Sequence, residues 1–394
     1  MPGQALLFFA AAVGNAAVWV WVINVLYGTR FRGWPVTLTR WTCQVLTLAL
    51  PAALLVWRGD RLLDASAGLS LAPWPDLPVP VLAWVAACWG LALVVLPGVS
   101  VARWLRRPPA CRVANHTRLV RLDRELGRRP LGQSRHPLLA RLPWNEICDV
   151  EFVDLTLRLD RLPARLDGLS IWHISDTHLC GCPDRSFYEY VLDRCAGDPA
   201  DLVVVTGDVL DSEEHYHWIV PLLGRLRGRY GSWAVLGNHD AWLDVPRIVR
   251  RLERAGFTRI GGQVREVDIG GERIQVIGNE WPWLGPPPDL DGVAAEHFRL
   301  CLSHSPDTFP WARRHGVDLV LAGHNHGGQV RLPLLGPVLV PSRYSRRYDA
   351  GVFFRAPTAM VVSRGLGQTY PLRYRCRPEV TRLRLLAQTA MRRR

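Results

Sequence analysis

Three long apolar runs occupy the first hundred residues, and short apolar runs that each end in polar residues fill the rest. Gln4–Tyr27 is 24 residues without a charge; as a helix it reaches about 36 Å, enough to cross a hydrocarbon core. Met1-Pro2-Gly3-Gln4 supplies no basic residue ahead of it, so an uncleaved span is expected rather than a signal peptide. Trp41–Trp57 is shorter and contains Pro51, while Val79–Ala102 is again long and uncharged. Tyr27, Trp34, Trp41, Trp57 and Trp104 gather at the ends of these runs, where membrane interfaces favour such side chains. The pattern predicts a membrane region over residues 1–105, with transmembrane helices at 4–27, 41–57 and 79–102.

Residues 106–147 are arginine-dense and carry Pro108, Pro109, Pro130 and Pro137, which reads as a basic juxtamembrane linker. From residue 148 to 394 the pattern becomes that of a folded domain. Val150–Leu157 and Gly168–Ile174 flank Leu162-Pro163 and suggest a leading hairpin. Helical periodicity then predicts helices at Phe187–Cys195, Tyr216–Leu226 and Val245–Ala255. Between and after them come apolar strands at Leu202–Val205, Trp233–Leu236, Phe298–Leu302 and Leu319–Leu321. Alternating βα units followed by strand-rich segments imply two mixed sheets packed face to face with helices outside.

Charge adds an orientation. The net charge is +13, and every one of the 48 basic residues is arginine, which favours anionic partners such as phosphorylated substrates or acidic lipid. No helix-turn-helix, zinc-finger or RNA-binding signature is present, so nucleic acid is the weakest of the anionic partners and none is expected. Arg30, Arg32 and Arg40 lie in the first loop, and Arg103, Arg106, Arg107 and Arg112 follow the third run. Between runs two and three, Arg58 and Arg61 are offset by Asp60, Asp64 and Asp76. The positive-inside rule then predicts a multi-pass protein of the cell membrane with its large domain in the cytoplasm. Nine scattered cysteines, of which only Cys180 and Cys182 are close-set, read as reduced thiols.

The polar residues at the strand ends carry the chemistry. In order they are Asp176-Thr177-His178, Gly207-Asp208, Gly237-Asn238-His239-Asp240, His304 and Gly323-His324-Asn325-His326-Gly327. Carboxylates, imidazoles and a side-chain amide are ligands for divalent first-row metals, and strands of open α/β sheets deliver ligands from their carboxyl ends into one crevice. Taken singly, each histidine reads as a hydrogen-bonded structural residue; the count and order of the clusters point to a metal site. His173 lies inside its strand and reads as core. His215 and His217, beside Glu213 and Glu214, read as a solvated helix start with a substrate contact as the alternative.

The order D-x-H, G-D, G-N-H-D, H, G-H-x-H resembles that of the calcineurin-like metallophosphoesterases. The likeness continues through Gly327–Pro333, Ser363–Gly367 and Arg377–Thr381, whose sequences resemble a membrane-associated bacterial branch of that family that includes UDP-2,3-diacylglucosamine hydrolases. It spans roughly Glu151 to the C-terminus. The resemblance implies an α/β fold, a four-layer αββα sandwich here preceded by the three-helix transmembrane region. It also implies two divalent metal ions, manganese, iron or zinc. Asp176, His178, Asp208 and His326 would hold one, and Asp208, Asn238, His304 and His324 the other. His239 is left free to donate to phosphate or leaving oxygen, and Asp211 is placed to orient such a histidine. Protein Ser/Thr phosphatases have an arginine shortly after the bridging aspartate, and purple acid phosphatases a tyrosine three positions on. This chain has Asp211, Ser212 and Glu213 there, so neither branch fits.

The expected activity is that of a membrane-anchored dinuclear metal-dependent phosphoesterase, cleaving a phosphodiester or pyrophosphate bond, with lipid-linked substrates among the candidates. The alternative is a membrane-anchored sensor or scaffold with a regulatory or vestigial metal site.

Overall fold

A computed structural model of the chain describes residues 3–62, 74 and 76–388. Asp64, which enters the orientation argument above, lies outside the described residues. The chain divides into two compact units, residues 1–107 with Leu332–Ser345, and Pro108–Arg331 with residues 346–394.

The first unit is built on three helices long and apolar enough to cross a membrane: Gly3–Tyr27, Trp34–Asp60 and Val79–Trp104. The second is broken at Arg58, whose φ of −141° is not helical, and the third passes through a π-helical turn at Leu91–Val95. Asn15 ties all three together. Its amide nitrogen donates to Leu46 O and Thr47 O at 2.9 and 3.2 Å, and its oxygen accepts from the indoles of Trp19 and Trp84, both at 3.1 Å. Such side-chain hydrogen bonds hold helices together where apolar surface alone gives no preference. Gly14 lies so close to the third helix that a Cβ there would fall 2.1 Å from Cys88 O.

The second unit holds two mixed sheets. Its strands are β1 (Arg112–Arg121), β2 (Asp149–Leu159), β3 (Leu169–Ile174), β4 (Leu202–Thr206), β5 (Ser232–Val235), β6 (Thr258–Arg259), β7 (Val264–Ile269), β8 (Glu272–Asn279), β9 (Phe298–Ser303) and β10 (Leu319–Ala322). After the short strands β11 (Arg331–Leu332) and β12 (Gly336–Pro337), the latter in the Leu332–Ser345 stretch of the first unit, come β13 (Gly351–Arg355), β14 (Thr358–Val362) and β15 (Glu379–Ala387). One sheet has the order β1-β2-β15-β3-β4-β5-β6, the other β13-β14-β10-β9-β8-β7. β3 to β6 run parallel, as do β8 to β10 and β14. Buried β-branched runs such as Leu202–Thr206 are what a strand covered on both faces requires.

Three apolar layers separate the elements. Leu155, Ile171, Val204 and Leu383 of one sheet meet Ile274, Val276, Leu300 and Leu319 of the other. The helices Arg185–Ala196, Tyr216–Leu223 and Val245–Arg254 cover the outer face of the first sheet, through Phe187, Val191, Ile219, Leu222, Ile248 and Leu252. Phe309 and Ala312 of the helix Phe309–Arg314 cover the second sheet at Val320 and Met360. This is the four-layer αββα sandwich. The outer helices start where local chemistry dictates: the Asp184 and Asp244 side chains accept from the backbone N–H of Ser186 and Arg247.

Two features differ from the sequence reading. β2 and β3 do not form a hairpin. The C-terminal strand β15 lies between them, parallel to β2 and antiparallel to β3. Leu383 and Leu385 on one face and Val380 on the other are fully buried, so a strand more than two hundred residues distant outcompetes the local partner. The stretch read as a linker instead contains β1, which pairs with β2 from Arg112 to Arg121 and extends the sheet. Arginines on the exposed positions of an edge strand keep that edge soluble and unpaired, and this gives the segment its linker-like composition.

Leu383→Ala should therefore cost about 2–5 kcal/mol and lower the melting temperature of the detergent-solubilised chain by several degrees. Near-unchanged melting would contradict the placement of β15 inside the sheet.

Candidate metal centre

The carboxyl ends of β3, β4, β5, β9 and β10 converge. The loop after β3 supplies Asp176 and His178, that after β4 Asp208 and Asp211, that after β5 Asn238 and His239, that after β9 His304, and that after β10 His324 and His326. The ligand-capable atoms of Asp176, His178, Asp208 and His326 lie within 4.8 Å of one another, as do those of Asp208, His304 and His324. Asp208 is common to both groups. Asn238 Oδ1 sits 3.1 Å from His304 Nε2, so it joins the second.

Backbone strain accompanies this convergence. Asp176, His178, Asp208, His324 and His326 all have positive φ, between 40° and 70°. L-residues adopt such angles at a cost, and strain of this kind concentrates at functional sites. Glycine relieves the tightest approaches: a Cβ at Gly207 (φ +86°) would fall 2.7 Å from His304 Nδ1, and one at Gly237 2.1 Å from Asp208 Oδ1. The loops are also bonded to one another. Asp176 Oδ1 accepts from His324 N at 2.9 Å, and Asp208 Oδ1 from His239 N at 2.8 Å.

Hydrogen bonds fix how each imidazole is presented. His304 Nδ1 donates to Thr206 O at 2.8 Å, which turns Nε2 toward Asp208 Oδ2 at 3.2 Å. His178 Nδ1 lies 2.7 Å from Asp211 Oδ1, and its Nε2 is 3.5 Å from Asp208 Oδ2 and 2.9 Å from His326 Nε2. His239 Nδ1 meets the same Asp211 oxygen at 2.8 Å. Asp211 thus orients two histidines, one inside the first ligand group and one beside it, and its Oδ2 accepts from Thr369 Oγ1 at 2.7 Å.

Burial and charge act against each other here. Burial pushes the His178 imidazole down, yet Asp211, Asp208 and Asp176 outweigh it and hold it up at about 9. His304 is likewise opposed by burial and raised to about 9 by Asp208 and Asp176. Burial opposes ionisation of Asp208 and Asp211, but the neighbouring histidines keep both below the usual carboxylate range. Burial lifts Asp176. It also lifts Asp240 to about 7, helped by Asp208 and against the N–H groups of Gly237, Val209 and Leu210, which Asp240 accepts. Burial and the positive neighbours His178 and Arg373 push His326 well down.

The donor set suits divalent metals. Protons on histidine occupy the role a cation would fill, and Asp176 Oδ2 is fully buried with no hydrogen-bond partner among the described residues. Two imidazole nitrogens facing each other at 2.9 Å are better served by a shared cation than by each other.

Residues 169–328 match the calcineurin-like phosphoesterase family. The chain is 31% identical over 242 residues to the metallophosphoesterase YkuE of Bacillus subtilis, covering 59% of this chain and 84% of that one. It is 33% identical over 194 residues to the phosphodiesterase YaeI of Escherichia coli, covering 47% and 70%. The chain belongs to the calcineurin-like metallophosphoesterases. It is also 27% identical over 250 residues to a Danio rerio transmembrane protein with a metallophosphoesterase domain, covering 59% of this chain and 56% of that protein. The family and the Asp/His cluster suggest a dinuclear divalent site, and the three apolar helices with this relative suggest membrane association.

Other residues singled out in the sequence lie where their surroundings explain them. His173 is fully buried, bonds Thr206 Oγ1 at 2.8 Å and is pushed down to about 3 by burial. His217 is exposed and bonds Glu214 O, and the half-buried His215 packs edge-on against Trp218. Cys180 Sγ faces the carbonyls of Cys182 and Gln368 and belongs to neither ligand group. All nine cysteines are free thiols.

Several supporting residues carried no sequence signal. Arg373 is fully buried, and its guanidinium donates to the carbonyls of Arg364, Gly365, Gly367 and Cys376, with Nη2 3.4 Å from His326 Nδ1. Glu280 accepts from Leu236 N at 2.8 Å and pairs with Arg259 beneath the Asn238 loop. Trp283 packs against His304 and His324, and Trp242 against His239, with ring centroids 4.4–5.6 Å apart. A lone arginine, glutamate or tryptophan far along the chain has no pattern to mark it. The Gly-Gln-Thr run at 367–369 is equally plain.

Because ligation needs neutral imidazole while His178 and His304 hold their protons up to about 9, metal uptake at neutral pH should release protons. Metal affinity should rise with pH and level off near that value. Calorimetric titration with manganese in buffers of different ionisation enthalpy measures the release; none at neutral pH would contradict the assigned protonation.

Proposed function

We propose that this protein is a membrane-anchored hydrolase of phosphodiester or pyrophosphate bonds, using two divalent metals held by Asp176, His178, Asp208 and His326 and by Asp208, Asn238, His304 and His324. The observation that carries it is Asp208, a buried carboxylate shared by two ligand groups that already face one another. When bound, such a pair supplies positive charge against the phosphoryl oxygens and acidifies an attacking water.

The chain's own residues do the rest. Asp211 takes the Nδ1–H of His239, leaving Nε2 as the position from which a proton can pass to the leaving oxygen. The same carboxylate takes the Nδ1–H of His178, so that Nε2, once its proton is displaced, is the nitrogen offered to the group formed with Asp208 and His326. Asn238 adds a neutral oxygen, which keeps the pocket from repelling an anionic substrate. Trp242, partly exposed against His239, offers an apolar face beside the proton donor. A relative named as a phosphodiesterase supports the diester reading. The sensor or scaffold alternative has no ligand loss in its favour.

Asp208→Asn should lower turnover of bis(p-nitrophenyl) phosphate by more than about 100-fold and reduce bound metal. His239→Ala should lower turnover by roughly 10²–10⁴-fold with both metals retained. Equal metal loss in the two variants, by elemental analysis, would contradict the roles given to them.

The three helices are read as spans that put the metal domain in the cytoplasm, next to the inner leaflet, where a lipid-linked phosphate is within reach. The arginine-rich first loop and the arginines after the third span support this orientation. A reporter fused to the C-terminus should behave as cytoplasmic and one in the 60–76 loop as external. The solubilised full-length enzyme should prefer an acylated phosphodiester over its soluble headgroup analogue. Equal rates on both would reduce the proposal to a generic phosphoesterase on a tether.

A further inference from the structure

The loop that carries His324 and His326 continues into a segment, Leu332–Ser345, that belongs to the compact unit of the apolar helices. The residues that flank the segment on either side belong to the second unit and are bonded to that loop or to each other. Arg331 Nη1 donates to Gly327 O at 3.0 Å and pairs with Asp349 Oδ2 at 2.9 Å, while Asn325 Nδ2 donates to Tyr348 O at 2.7 Å.

Within its own unit the segment is docked on the first helix by one side chain. Asn24 is buried, and its amide donates to Val338 O at 3.0 Å and Ser345 Oγ at 3.1 Å; its oxygen accepts from Val340 N at 2.9 Å. Both N–H donors and the oxygen of this amide are thus turned toward the segment, on a helix without charged residues. Gly28 lets the two backbones touch: a Cβ there would fall 2.5 Å from Arg343 N. Asn24 is three residues before the end of the helix at Tyr27, about 4.5 Å in depth.

What the segment presents is apolar. Leu334 is 94% exposed and Leu339 55% exposed, and Leu332–Ser345 contains no acidic residue while Arg343, Arg346 and Arg347 follow its apolar stretch. Leu334 also holds φ at +64°. In water glycine or asparagine serves that conformation at lower cost, and an exposed leucine gains nothing there. An apolar tip with a cationic flank is the chemistry of a segment seated at the headgroup–acyl boundary.

We propose that Leu332–Ser345 is a lipid-inserted arm, docked through Asn24 on the last turn of the first span, with Leu334 and Leu339 among the acyl chains of that leaflet. This rests on the reading of the three helices as membrane spans. The arm's occupant is bilayer lipid, continuous with the lipid around the exposed faces of the helices.

The test uses the full-length protein in vesicles of phosphatidylethanolamine and phosphatidylglycerol. An environment-sensitive fluorophore is attached at Leu334→Cys and, separately, at Leu48→Cys on the second helix, whose side chain is 69% exposed. The unsubstituted chain, treated identically, sets the background from native thiols. Nitroxide placed on the lipid acyl chains should quench both labels, and adding Asn24→Ala should relieve the quenching at Leu334→Cys at least twofold while leaving that at Leu48→Cys unchanged. Quenching at Leu48→Cys alone, with the Leu334 label open to aqueous iodide, would overturn the arm and leave the spans standing. A Leu334 label shielded from both quenchers would assign the arm to a protein contact and likewise overturn the proposal. Quenching at neither site would remove the membrane reading itself.

Discussion

Three buried aspartates and a fourth, half-buried, gathered in one crevice are the constraint around which the catalytic unit is organised. Asp176, Asp208, Asp211 and Asp240 would repel one another and resist desolvation if left alone. His178 and His304 answer Asp208, His178 and His239 answer Asp211, and three backbone N–H groups answer Asp240. Asp176 keeps an oxygen that nothing among the described residues satisfies. Protons on its histidines balance the pocket, and divalent cations would replace those protons with charge better matched to the carboxylates. Structural economy and hydrolytic chemistry ask for the same ions.

Holding such a balance needs rigid loops, and the sandwich supplies them. Each ligand emerges from the end of a strand buried on both faces, and most of the ligand residues sit at left-handed φ that the surrounding bonds must enforce. Enforcement comes from a layer beneath: Asp240 stitches the loop after β5 to the loop after β4, Glu280 grips Leu236, and Arg373 gathers four carbonyls behind His326. A guanidinium is suited to this place because it carries several donors in a fixed plane. The centre thus depends on residues that never touch a ligand atom.

The helical unit solves the opposite problem, since its interior offers apolar surface without direction. Two asparagines of the first helix provide it. Asn15 binds the neighbouring helices through two backbone carbonyls and the indole of Trp84, and Asn24 binds the segment that follows the metal loop. An amide in such surroundings has strong reason to find its partners. Apolar length makes a span; these few polar contacts decide what it packs against.

The sequence by itself determined the apolar helices, the βα order and the residues that gather at the strand ends. Length without charge, period-2 and period-3.6 patterning, and polar clusters after β-branched runs are local signals that survive without tertiary information. Asp176, His178, Asp208, Asn238, His304, His324 and His326 were legible because the clusters they form each follow one of five strands in a characteristic order. Tertiary structure decided what depends on distant partners. β15 displaces the expected hairpin because its buried face fits the gap between β2 and β3, and β1 becomes an edge strand because β2 has a free ladder to offer. Arg373 and Glu280 acquire their roles only when folding turns them toward their partners, and the partners of Asn24 lie more than three hundred residues along the chain, a separation that no spacing announces.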